Sequence, residues 1–160
     1  MRKLFPAVLA AGLALAVQAQ AQVVHIGPAA SPIAQAVAVP AGADTLYVSG
    51  ITPSPTNADA KGAAPEFGDT KAQTLSILKK IEDILKAQGF GFGDVAMMRV
   101  YLVGDPAKGG KLDFAGMMLG YGQFFGTAEQ PKLPSRSAMQ VAALANPGFL
   151  VEIEVTAVRP

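Results

Sequence analysis

Two stretches near the C-terminus decide the fold: PSRSAMQVAAL at residues 134–144 and FLVEIEVTAV at residues 149–158. Apolar side chains dominate both, and an Asn-Pro-Gly turn separates them, which predicts two strands, Arg136–Leu144 and Phe149–Val158. The first strand begins with an arginine, and the second contains two glutamates within an apolar run. Charged residues make up only 16% of the chain, so these three charges require an explanation.

The middle of the chain predicts two helices around a strand. Asp69 is a suitable N-cap, and leucines and isoleucines recur at helical spacing up to Gly89, which predicts an amphipathic helix. The apolar run Val95–Val103 predicts a strand, and Asp113–Phe125 predicts a second helix. Its predicted core face comprises Phe114, Met117, Tyr121, Phe124 and Phe125.

The segment before the first helix is expected to be irregular apart from one hairpin. Gln22–Pro32 has little periodicity, which would leave His25 in a solvated tail. Ala36–Val39 and Thr45–Ser49 flank a proline-containing turn and predict a hairpin. The resulting order β-β-α-β-α-β-β predicts one α+β domain, with a mixed sheet and both helices on one face.

The first 21 residues have the layout of a secretory signal peptide. Arg2 and Lys3 precede an apolar run that is too short to span a bilayer and that ends in Ala-Gln-Ala. We expect cleavage after Ala21, export to a bacterial periplasm, a mature domain of residues 22–160 and no membrane association thereafter. An uncleaved anchor or a buried helix is the alternative interpretation of this segment.

Charge and composition exclude several kinds of site. Without Arg2 and Lys3, 11 basic residues oppose 12 acidic ones and no basic run is present, which disfavours a nucleic-acid surface. The chain has no cysteine and a single histidine, His25. These counts argue against a zinc-thiolate site, a histidine metal site and a Ser-His-Asp triad.

Strand alternation suggests where the three charges lie. Residues two apart share a face, so Glu152 and Glu154 point away from the helices if the apolar residues between them face the core. If the two C-terminal strands are neighbours, Arg136 joins them on the helix-free face. Val95–Val103 is apolar on both faces, so this side needs cover, which subunit association would supply.

Two interpretations of these charges stay open on residue chemistry alone. In one, an interfacial cleft uses Arg136 to grip a planar carboxylate through two N–H groups, while a glutamate orients water and acts as general acid or base. In the other, Arg136 and a glutamate form a salt bridge that holds subunits together. Glu154 is interpreted as structural, because it lies one pleat repeat from Glu152.

These residues resemble the RidA/YjgF family of imine and enamine deaminases. Pro134–Arg136 forms the Pro-x-Arg element, alternating apolar residues and a short turn follow, and residues 152–154 are Glu-Ile-Glu. The likeness extends over about residues 31–159 and includes Tyr-x-x-Phe-Phe at Tyr121–Phe125. It implies a chorismate-mutase-like α+β protomer of the bacillus type, assembled as a homotrimer with clefts between subunits.

The resemblance also implies roles for named residues. Arg136 would bind the carboxylate of a 2-imino acid, and Glu152 would position the water that attacks the imine carbon. Backbone groups near Gly50 and Ala138 would help to hold the substrate. The products would be a 2-oxo acid and ammonia, and no metal or organic cofactor would be needed.

Two departures from the family pattern concern the pocket wall. Ile33 stands where the family has a tyrosine, and Met118 stands where a helix asparagine is frequent. Both changes make the pocket more apolar, which points toward bulkier or more apolar imino acids. The exported location and the missing tyrosine favour an alternative, a non-catalytic small-carboxylate binding protein of the periplasm. A ribonuclease role is the weakest hypothesis, given the charge balance and the lack of a catalytic histidine.

Overall fold

A computed structural model describes residues 22–59 and 62–160, so the predicted signal peptide lies outside the described residues. Within those two ranges no helix is both long and apolar enough to cross a membrane. The main elements are β1 (Val24–Ile26), β2 (Ala36–Ala38), β3 (Asp44–Ile51), α1 (Thr70–Ala87), β4 (Val95–Val103), α2 (Phe114–Tyr121), β5 (Ser135–Val141) and β6 (Val151–Arg159).

The predicted mixed sheet with two helices is confirmed. Four strands form it in the order β3-β6-β4-β5; β4 and β5 run parallel, and the other two pairs are antiparallel. Helix α1 packs on α2, β6 and β3. One apolar core lies between the helices and the sheet, formed by the buried faces of α1, α2, β4 and β6.

Helix α1 forms where the sequence predicts it. The Asp69 carboxylate accepts a hydrogen bond from the Ala72 N–H at 2.8 Å, so it caps the helix. Gly89 follows the helix in the left-handed conformation that favours glycine, with φ of 76°. One polar residue of the buried face, Gln73, is fully buried and bonds to the Gly148 carbonyl and the Leu150 N–H, at 2.9 and 2.7 Å. This contact anchors the turn that precedes β6.

The predicted hairpin near the N-terminus is wrong. β2 pairs with β1 in a separate two-stranded sheet, while β3 pairs with β6. The expected irregular lead-in therefore contains β1. His25 lies within it, half-buried, with its Nδ1 2.6 Å from the Leu133 carbonyl oxygen, rather than in a solvated tail. Turn signals did not reveal these partners, because β3 and β6 are distant in the sequence and the connection between β1 and β2 is irregular.

Helix α2 is shorter than predicted and its apolar face is only partly core. It ends at Tyr121 instead of Phe125, in a stretch that glycines on either side of Tyr121 weaken. Met117, Tyr121 and Phe125 are buried as expected, but Phe114 is 47% exposed. The ends of β5 and β6 differ from the predicted ones by one to three residues.

Candidate functional site

β4 lies between β5 and β6, so the two charged strands are not neighbours. Arg136 is in register with Met98 of β4, and Met98 is opposite Val155 of β6. Met98 and Val155 both face the core between the sheet and the helices. Glu152 is opposite Tyr101 on the other face of the sheet. The prediction that Arg136 shares the helix-free face with the glutamates is therefore wrong. A protomer places Arg136 on the helix side and Glu152 on the open side.

Arg136 is packed against aromatic rings and keeps an unused donor. Its guanidinium carbon lies 4.3 Å from the ring centroid of Tyr121 and 5.9 Å from that of Phe114. The Nη1 atom is buried and has no hydrogen-bond partner among the described residues. The Tyr121 hydroxyl donates to the Pro32 carbonyl at 3.1 Å, which holds the ring beneath the cation. Such a stacked, unpaired guanidinium is suited to an anionic ligand.

Burial sets the charge states of this pair. It lowers the pKa of Arg136, which the adjacent Tyr121 opposes, yet a guanidinium starts from so high a pKa that it stays cationic. Burial also raises the pKa of Tyr121 to about 12, so its hydroxyl is neutral. A half-buried cation without an anion is costly, and a bound carboxylate would relieve that cost.

Three of the other predicted site residues lie on the Arg136 side. Met118 sits one helical turn before Tyr121 and lines a depression with Tyr121 and Pro32. Ile33 is half-buried in a segment that runs beside the start of β5, where the Ala34 N–H donates to the Pro134 carbonyl at 3.0 Å. Ala138, two residues along β5, packs against the core. These three residues surround the arginine with apolar surface.

Gly50 and Glu152 form a second group on the open face. A Cβ added to Gly50 would lie 2.8 Å from the carboxyl carbon of Glu152, so only glycine leaves room for this side chain. The register of β3 against β6 shifts between Val48 and Ile51, and this irregularity brings the backbone of Gly50 next to the Glu152 carboxylate. The Glu152 carboxylate makes no hydrogen bond or ion pair within residues 22–59 and 62–160. It is therefore free to bind water.

Glu154 has a different environment from Glu152. Its Oε1 lies 2.5 Å from Nη1 of Arg99, on the adjacent strand β4. This hydrogen bond raises the pKa of Arg99. The pairing supports a structural role for Glu154, and it shows that the cation bound to it is Arg99. In the described part of the protomer Arg136 has no salt bridge to either glutamate.

Sequence reasoning missed the partners that surround Arg136. Tyr121 and Phe114 were interpreted only as core residues, although with Met118 they recur at i, i+4 and i+7 and share one helix face. That spacing was available as a signal. It could not show that the guanidinium of Arg136, on the distant strand β5, packs against this helix face. Helical periodicity shows which residues share a face but not which surface that face contacts.

Comparisons with known proteins agree on one family. The family model described as Endoribonuclease L-PSP matches residues 27–159. A RutC family protein of Pyrococcus horikoshii is 34% identical over 112 residues, which cover 70% of this chain and 77% of that protein. A RutC family protein of Leuconostoc mesenteroides subsp. cremoris is 35% identical over 117 residues, covering 72% and 81%.

Solved structures show the same fold. A protein of unknown function from the conserved Rid family of Yersinia pestis superposes with a TM-score of 0.63 at 26% identity, covering 84% of this chain and 97% of that one. TdcF of E. coli, solved with bound serine, superposes with a TM-score of 0.57 at 31% identity, covering 84% and 91%.

Proposed function

This chain belongs to the RidA/YjgF family, whose model is described as Endoribonuclease L-PSP, and we propose that it hydrolyses 2-imino or enamino acids to 2-oxo acids and ammonia. One observation carries the proposal: the Arg136 guanidinium is stacked on Tyr121 and keeps a buried N–H without a partner. A substrate carboxylate supplies the missing acceptor. The serine bound to TdcF, which has a carboxylate next to its amine-bearing carbon, supports a ligand of this class.

The reaction needs no more than these two side chains and water. Arg136 holds the carboxylate and thereby orients the adjacent C=N carbon. The Glu152 carboxylate accepts a proton from water as the water oxygen bonds to that carbon, and then returns the proton to the nitrogen. The hydroxyl proton of the resulting tetrahedral intermediate then also passes to the nitrogen, the C–N bond breaks, ammonia leaves, and a C=O group remains. The unpaired state of Glu152 is what a general base requires.

The proposed reaction requires a second subunit. In a 2-imino acid the carboxylate is bonded directly to the reacting carbon, so both catalytic groups must reach the same few ångströms. Arg136 and Glu152 of one protomer lie on opposite faces of the sheet. We therefore propose a homotrimer in which Glu152 and Gly50 of one subunit complete the site around Arg136 of its neighbour. The open face, where Tyr47 is 79% exposed, is available for such packing.

The proposed location is the periplasm, with removal of residues 1–21. Expression of the full chain in a Gram-negative host, followed by fractionation and N-terminal sequencing, tests this proposal. We expect a periplasmic product that begins at Gln22. An intact N-terminus, or retention in the cytoplasm, would contradict it.

The test of function uses two matched pairs of variants. Mature protein is added to 2-iminopropanoate and 2-iminobutanoate, which an amino-acid oxidase generates in situ, and the surviving imine is trapped with semicarbazide. We expect Arg136→Met and Glu152→Gln each to lower kcat/KM by about 100-fold or more. Arg99→Met and Glu154→Gln, which break the neighbouring ion pair, should stay within about threefold.

Sedimentation and circular dichroism of every variant check that trimer and fold persist. Wild-type protein that leaves the imines untouched would refute the deaminase, and so would equal losses in the two pairs of variants. A trimer in Arg136→Met is expected, because methionine supplies a long apolar side chain that can pack on the Tyr121 ring in place of the guanidinium.

A second candidate is the binding of a small carboxylate without turnover. The observation that favours it is Ile33, which puts no hydroxyl where the family has one. Calorimetry with 2-oxobutanoate would then show saturable binding that Arg136→Met removes, while imine lifetimes stay unchanged. Turnover above the Glu152→Gln background would exclude this candidate.

A further inference from the structure

Helix α2 presents a graded apolar stripe beside Arg136. Phe114, Met118 and Tyr121 share one face of the helix. Their burial falls along the stripe: Tyr121 is 2% exposed, Met118 is half-buried, and Phe114 is 47% exposed. The stripe thus leads from the floor under the guanidinium out to the solvent.

Phe114 is the unexplained member of this stripe. It is the first residue of α2 and lies outside the buried core cluster. Its ring centroid is nevertheless 5.9 Å from the Arg136 guanidinium, on the same cation as buried Tyr121. Within a protomer a large ring held half in water adds little to folding, because apolar area stabilises only when it is removed from solvent. Its position beside an anion-binding group suits it to cover part of a ligand.

We infer that the site takes 2-imino acids with aromatic or large aliphatic side chains. This inference rests on the proposed function. With the carboxylate on Arg136, the substituent at the reacting carbon extends along the stripe, over Met118 and against Phe114. Ile33, half-buried in the depression next to the one that Met118 lines, adds further apolar surface. The stripe has no charged side chain, and its one polar group, the Tyr121 hydroxyl, already donates to the Pro32 carbonyl, so a polar substituent would gain little here.

The chemistry is unchanged by the larger side chain. For the imine derived from phenylalanine, the water oxygen bonds to C2, the C–N bond breaks and ammonia departs, leaving 3-phenyl-2-oxopropanoate. Both hydrogens of the water end on the nitrogen, and no oxidant is consumed in this step. The supply must come from a reaction that forms an imine at the α-carbon of an amino acid, such as flavin-dependent amino-acid oxidation.

The experiment compares two substrates in three proteins. The imines of phenylalanine and alanine are generated by an amino-acid oxidase, and each catalysed rate is divided by the uncatalysed rate for that imine. Wild-type protein should prefer the phenylalanine-derived imine by about tenfold in kcat/KM, the selectivity typical of a modest apolar pocket. Phe114→Ala should lower this rate about tenfold more than it lowers the rate for the alanine-derived imine, so the preference for the larger substrate is lost.

Leu119→Ala is the matched control. Leu119 lies on the same helix and is 62% exposed, but it is rotated away from the stripe. Its removal should leave both rates within about twofold of wild type. If both imines are hydrolysed without preference, or if Phe114→Ala behaves like Leu119→Ala, the substrate class is wrong although the deaminase stands.

A binding experiment distinguishes failure of the inferred substrate class from failure of the proposed deaminase function. If neither imine is hydrolysed, calorimetry with 3-phenylpropanoate and propanoate decides. Tighter binding of the phenyl compound, lost in Phe114→Ala and kept in Leu119→Ala, supports the apolar ligand class without catalysis. Equal affinity for the two acids, or no binding of either, overturns the inference.

Discussion

Gly50→Ala tests whether the placement of Glu152 matters for catalysis. The new methyl group would lie 2.8 Å from the carboxyl carbon of Glu152 and closer still to its Oε1. Non-bonded carbon atoms prefer about 3.5–4.0 Å, so the carboxylate must move by roughly 1 Å. Because this group is the end of a rotatable side chain, the structure can accommodate the change.

Gly50→Ala is expected to affect the stability of the fold less than it affects the catalytic rate. Displacing Glu152 from its preferred rotamer costs folding about 1 kcal/mol. A misplacement of about 1 Å at a catalytic group costs about 100-fold in rate, which corresponds to roughly 2.7 kcal/mol in the activation barrier. Gly50→Ala should therefore yield a stably folded protein with severely reduced activity.

The assay is imine loss under saturating substrate, with urea unfolding on the same samples. Gly91→Ala serves as the control, since Gly91 has an ordinary φ of −139° and its added Cβ would meet nothing within 4 Å. It should retain full activity. In a Glu152→Gln background, Gly50→Ala should cause little further loss, because both changes remove the same function.

Activity of Gly50→Ala within about threefold of wild type would refute this reasoning, since a displaced carboxylate would then be tolerated. Equal losses in Gly50→Ala and Gly91→Ala would refute it as well. A full additional loss in the double variant would show that Gly50 acts through something other than Glu152.

Two further predictions concern the supports of the site. Gln73→Leu leaves the Gly148 carbonyl and the Leu150 N–H without their buried partner and should destabilise the fold by about 2–4 kcal/mol, measured as a lower urea midpoint. Tyr121 has a pKa of about 12 when folded, against about 10 when unfolded, so the unfolded chain loses this proton first. The stability that the neutral hydroxyl contributes is therefore complete below about pH 10 and is lost as the pH rises toward about 12. Urea midpoints across that range should fall less steeply in Tyr121→Phe; equal slopes would contradict the assignment.

Several elements follow from local sequence because their causes are local. The Asp69 cap and the leucine spacing specify α1, and the apolar run Val95–Val103, interrupted only by Arg99, specifies β4 with both of its ends. The Pro-x-Arg and Glu-Ile-Glu elements mark the two candidate catalytic residues through the resemblance to the family. Periodicity and capping depend on neighbours within a few residues, so such features can be deduced without knowledge of the fold.

Other features depend on which segments meet, and only the tertiary structure decided them. The sequence order suggests that β5 and β6 pair, yet β4 is inserted between them, and Arg136 moves to the helix side as a result. Likewise, β1 pairs with β2, and His25 in β1 contacts the Leu133 carbonyl oxygen. No turn motif in the sequence predicts either contact.

The candidate site shows the same division. From the sequence alone came the kinds of groups, one guanidinium and one carboxylate, with glycine and apolar residues around them. The stacking of Arg136 on Tyr121 and the close fit of Gly50 against Glu152 came only with the fold. The physical reason is that strand register assigns each side chain to a face, and register is set by pairing between segments far apart in the chain.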